Sequence, residues 1–144
     1  MVLSVLVAAC GCHPETAASY DEGLQKKLEG VWVCEQKSPS GQDIIDTIEL
    51  SADGTYAAVH KLPNRKLGPR TIEESGTWRI EDGALIIIQK ATSLSEDNDQ
   101  LPSVEHLKIV RSDDRELEVA VAFAPKIDGF SVTTNLFVFR RQAR

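Results

Sequence analysis

The chain has 144 residues, a formal net charge of −6, three cysteines and 42% hydrophobic residues. That is enough for one domain with one core, and the acidic balance argues against nucleic acid or an anionic membrane surface as a partner. No apolar run approaches the ~20 residues that a membrane-crossing helix needs.

The chain opens Met1-Val-Leu-Ser-Val-Leu-Val-Ala-Ala-Cys10, nine uncharged residues closing on small ones before a cysteine. An apolar stretch and a small-residue cleavage site are two of the three parts of a secretory signal. The basic start is missing and the stretch is short, which leaves room for a start codon upstream of Met1. The pattern resembles the lipobox of bacterial lipoproteins; the other reading is a buried N-terminal strand. The resemblance implies cleavage before Cys10, acylation of Cys10 and a lipid anchor in the cell envelope, with the domain facing the periplasm. Two or more acyl chains make such anchoring stable. Gly11, where many inner-membrane lipoproteins carry aspartate, favours the outer membrane. The chain then divides into a signal peptide (1–9), a tether (10–19) and a domain (20–144). Cys12 and Cys34 remain, to pair or stay free in an oxidising compartment. Cys10, Cys12 and His13 are adjacent groups without a distant partner cluster, a poor metal site. No metal or cofactor is expected.

A short helix follows the tether. Ser19 and Glu22 have the spacing of a capping box, Leu24 and Leu28 share one face, and Gly30 ends it. Eight β-like runs come next: Val31–Lys37, Ile44–Ser51, Thr55–Lys61, Thr71–Ile80, Ala84–Ala91, Val104–Arg111, Glu116–Phe123 and Phe130–Arg140. Asp53-Gly54 and Asp82-Gly83 are hairpin signals, and Ser112–Arg115 is another tight turn. Eight sequential strands with short links predict an all-β, antiparallel up-and-down barrel, a number that closes into a small barrel whose interior side chains just fill it or leave room for one small ligand. Closure also removes both sheet edges; a sandwich would need longer crossovers. In Glu116–Phe123 the residues Leu117, Val119, Val121 and Phe123 share the face expected to point inward. Ile86-Ile87-Ile88 is apolar on both faces, so its outer side is expected to meet a loop, the helix or a partner.

Around the first strand, Leu28-Glu29-Gly30-Val31-Trp32 resembles the Leu-x-Gly-x-Trp opening of lipocalin-like domains, and the pattern of helix and eight strands extends the likeness over most of residues 20–141. The resemblance implies a structural Gly30 and a Trp32 at the closed barrel end, packed against an arginine of the last strand: Arg140, or its neighbour Arg141. The chain departs from the family in being shorter and in lacking a recognisable C-terminal helix, and Gly76-Thr77-Trp78 repeats the weaker part of the motif. Small bacterial lipocalin-like lipoproteins and barrel inhibitors of secreted proteases are similar to it in size.

Catalysis is not expected. No nucleophile elbow is present, His60 falls near a strand end, and His106 is expected to face outward. Glu73-Glu74 and Asp113-Asp114 read as an exposed strand and a turn. The expected function is binding of a small apolar ligand by the barrel interior, through Trp32, Tyr56, Leu117, Val119, Val121 and Phe123. These are bulky, so any cavity should be shallow and apolar, at the end opposite Trp32. The alternative is a filled barrel that meets an envelope protein or inhibits a protease, with residues 10–19 as an arm. Lys61, Arg65, Lys66 and Arg70 make the loop after the third strand basic, as a contact surface for anionic lipid or glycan or as a solvated loop.

Overall fold

The computed structural model describes residues 17–38, 41–63, 68–94, 98–123 and 133–143. Helix α1 (Ala17–Leu28) leads into eight strands: β1 (Gly30–Lys37), β2 (Asp43–Leu50), β3 (Thr55–Leu62), β4 (Arg70–Glu81), β5 (Ala84–Thr92), β6 (Ser103–Ser112), β7 (Glu116–Phe123) and β8 (Thr133–Arg141). Each strand pairs antiparallel with the next, and β8 returns to β1, closing the barrel in sequence order. The closing seam is short: Trp32 sits opposite Arg141 and Val33 opposite Arg140.

The turns behave as their residues dictate. Asp82 and Gly83 both adopt positive φ (52° and 71°) between Glu81 and Ala84, the two-residue hairpin geometry that Asp-Gly favours. Gly54 does the same at 81° before β3. The helix starts earlier than the capping-box spacing implies. Ala17 is already helical, so Ser19 lies inside the first turn and is not the N-cap. Leu24 and Leu28, one turn apart on the same face, are buried in the barrel core. Asp21, earlier on the same face, accepts the backbone N–H groups of Asp82 and Gly83, both at 3.0 Å, tying the helix to the β4–β5 turn.

The core follows strand parity. Trp32, Leu50, Tyr56, Ala58, Trp78, Ile80, Leu85, Ile87, Leu117 and Val119 point inward and join the two helix leucines. A bulge between Ser75 and Gly76 shifts the β4–β5 register. A side chain at Gly76 would collide with the Ile88 carbonyl oxygen and the Tyr56 ring, so only glycine permits this approach. Ile86, on the alternate face of β5 from Leu85 and Ile87, is buried as well. Cys34 is a buried free thiol facing the interior. Cys10, Cys12, Arg65, Lys66 and Phe130 lie outside the described residues.

Candidate functional site

The two ends of the barrel differ in chemistry. At the end where α1 meets β1, the Trp32 indole is fully buried and donates Nε1–H to the Leu28 carbonyl at 2.7 Å. The Arg141 guanidinium carbon lies 4.3 Å from the Trp32 ring centroid. Arg141 Nη1 donates to the Glu29 carbonyl at 2.7 Å, and Nη2 donates to the Lys27 carbonyl. These carbonyls belong to the last helical turn and the link to β1, groups that a helix end leaves without partners. Gly30 sits beneath the guanidinium with φ +135°, and a Cβ there would stand 2.8 Å from Arg141 Nη1. Backbone conformation and space both demand glycine at this position. The cation over Trp32 is therefore Arg141, not Arg140. Strand alternation sends Arg140, opposite Val33, outward, where it is exposed. Trp78, from the second Gly-x-Trp, plugs the same end and donates Nε1–H to the Ser51 carbonyl at 2.9 Å. Filled and pinned in this way, the end is structural.

Beyond this plug lies a cavity of about 220 Å3. Its apolar wall comes from Ile48, Ala58, Ile87, Leu107, Val119, Val121, Phe137 and Phe139. Four ionisable side chains share it: Asp46 from β2, His60 from β3, Glu74 from β4 and Glu105 from β6. Register explains their meeting, since Asp46 pairs directly with His60 across β2–β3, and Glu105 lies opposite the inward Ile87. His60 Nδ1 is 2.8 Å from Asp46 Oδ1, and its Nε2 is 3.4 Å from Glu74 Oε2. Hydrogen bonding to Asp46, then to Glu74, outweighs burial and pushes the imidazole pKa up to about 10. His60 is thus an imidazolium at neutral pH, with both nitrogens engaged. Gln36 Nε2 donates to the other Asp46 oxygen at 3.3 Å.

Glu105 is different. It makes no hydrogen bond or ion pair among the described residues. The residue is exposed, yet the protein packed around it, with Glu74 nearby, pushes its pKa upward, and His60 only partly offsets them. Tyr56 is 4% exposed, and its hydroxyl finds no hydrogen-bond partner among the described residues. Burial, then the Glu74 and Glu105 charges, push that phenol well above its ordinary range. The hydroxyl stays protonated and available.

Of the residues expected to line a ligand site, Tyr56, Val119 and Val121 border this cavity. Trp32 belongs to the plug and is absent from the cavity wall, as is Leu117, which is buried beside it in the core. Phe123 pairs with Thr133 at the far end of β7, and its side chain lies outside what is described. His106 is exposed, and Glu73 faces out. Glu74 does not: it turns inward and is half-buried. The cavity is therefore not purely apolar. Strand parity carries the missing signal, because Asp46 alternates with inward Ile48 and Leu50, and His60 with Tyr56 and Ala58. Neither a protein-family model nor a curated protein sequence matches this chain.

Proposed function

We propose that the protein is a lipid-anchored envelope lipoprotein whose lipocalin-like barrel binds one small ligand, without catalysis, in the cavity beyond the Trp32 plug. The observation that carries this reading is a cavity of about 220 Å3 with a mainly apolar wall and an unpartnered Tyr56 hydroxyl. Ligand sites combine an apolar lining with a few placed polar groups in this manner. The volume lies below the ~300 Å3 at which drug-sized sites begin and holds about seven waters at ~30 Å3 each. A ligand with a single ring or a short chain fits it. Among the described residues the wall includes no serine or cysteine nucleophile, and His60 has no nitrogen free to act as a base.

The anchor reading rests on Cys10. Residues 10–16 span at most ~25 Å when fully extended, so acylation there holds α1 and the plugged barrel end close to a bilayer. Two measurements test the proposal. Cys10→Ser should release the protein from the membrane fraction, and retention there discards the anchor. Titration with a neutral apolar fluorophore should show saturable uptake at one site per barrel. A barrel that takes up no probe leaves protein contact as its function.

A further inference from the structure

Resting on the carrier reading, we infer that the cavity selects a small organic cation: an ammonium group held between Glu105, Glu74 and the Tyr56 hydroxyl, with an apolar body against Ile87, Val119 and Phe137. Three carboxylates face one imidazolium inside the barrel. His60 has already committed its two nitrogens to Asp46 and Glu74, so no N–H remains for an anionic ligand. One imidazolium offsets only one of the three carboxylates, and Glu105 is the one it does not pair with. Among the described residues it lacks a cation of its own.

The Tyr56 hydroxyl is the independent sign of a ligand. It is buried, it lines the same cavity, and it has no partner among the described residues. An unmet buried hydroxyl costs about 1–3 kcal/mol, and a ligand donor meets the acceptor half of that demand. An ammonium offers three N–H donors, and Glu105, Glu74 and the Tyr56 oxygen are three acceptors. A metal ion is the poorer occupant. No three His, Cys, Asp or Glu groups among the described residues come close enough together to hold one, and the aliphatic and aromatic wall offers it nothing. The same wall suits the hydrocarbon body of an amine.

The test compares nearly isosteric compounds on the full chain by calorimetry: 2-phenylethylammonium, 2-phenylethanol and phenylacetate, with hexylammonium, hexanol and hexanoate as a straight-chain series. In at least one series the ammonium should bind about tenfold or more tighter than the alcohol, and the carboxylate weakest. Glu105→Gln should weaken ammonium binding about tenfold while leaving the alcohol within about threefold. Tyr56→Phe should weaken the ammonium about three- to tenfold and serves as the second variant if Glu105→Gln folds poorly. Equal affinity for ammonium and alcohol, or equal losses for both in Glu105→Gln, overturns the cation selectivity and leaves the carrier reading intact. Failure of all six compounds to bind overturns both.

Discussion

Arg141 stands over Trp32 with its guanidinium carbon 4.3 Å from the indole centroid, while the same group donates to the carbonyls of Glu29 and Lys27. One side chain thus joins the last strand, the first strand and the helix. A cation over an indole contributes ~0.5–2 kcal/mol, and hydrogen bonds from a charged donor ~1.5–3 kcal/mol. Arg141→Ala should lower unfolding free energy by about 2–4 kcal/mol in urea titrations. Arg140→Ala, one residue away and exposed, should stay within about 0.5 kcal/mol of the parent. Equal effects of the two changes would contradict the clamp.

Gly30 is the complement of that clamp. With φ at +135° and Arg141 Nη1 2.8 Å from a would-be Cβ, Gly30→Ala combines backbone strain of about 1–3 kcal/mol with displacement of the guanidinium. In a double-mutant cycle, Gly30→Ala should cost less on an Arg141→Ala background than on the parent. Additive losses would show that the two residues do not communicate.

His60 makes stability depend on pH in the alkaline direction. An unfolded imidazole titrates near ~6.5, whereas the folded one, facing Asp46, Glu74 and Glu105, titrates at about 10. Between those values the folded chain keeps a proton that the unfolded chain has released. The His60 contribution is complete below pH ~6.5 and is lost as pH rises through about 10. His60→Gln should therefore destabilise by roughly 1.5–3 kcal/mol at pH 6, and its urea midpoint should converge on the parent's towards pH 10. A gap that widens with pH would reverse the assignment.

Glu105 predicts a conflict between stability and binding. The protein packed around its carboxylate and the nearby Glu74 both raise its pKa, so charge at this position disfavours the empty folded state. Glu105→Gln should raise the thermal midpoint of the ligand-free protein near neutral pH, although it removes an acceptor from the cavity. A fall in the midpoint would mean that Glu105 already has a stabilising partner.

Ala58 offers a steric check. It is buried against the cavity, 4% exposed, and Ala58→Leu should fill part of the space. Overpacking costs about 1–3 kcal/mol, so the barrel should still fold while uptake of the neutral fluorophore falls steeply. Undiminished uptake would place the ligand elsewhere.

Most of the fold was legible because barrels are written in short-range code. Asp-Gly pairs set the hairpins, alternation in Glu116–Phe123 set a face, and Gly30-Val31-Trp32 marked the plug. Local patterns also misled. Ser19 and Glu22 have capping-box spacing, yet the helix begins at Ala17. Arg140 and Arg141 are both basic, and only cross-strand pairing with Trp32 decides which one turns inward. The cavity was harder to read, because Asp46, His60, Glu74 and Glu105 come from four strands and become neighbours only through cross-strand register and the curvature of the sheet. Residue type argued the other way, since charged side chains are almost never buried unless paired. Glu74, adjacent to Glu73, was expected on an exposed strand, whereas parity places it inside.

The seam between β1 and β8 has a consequence for how the protein matures. Glu29 and Arg141 meet although they are 112 residues apart in sequence, and β1 obtains its second neighbour only from the last strand. A chain cut short before Arg141, or still emerging from its synthesis, lacks the clamp and leaves β1 with an unpaired edge open to aggregation and proteolysis. Closure thus acts as a completeness check, passed only by a polypeptide made as far as Arg141.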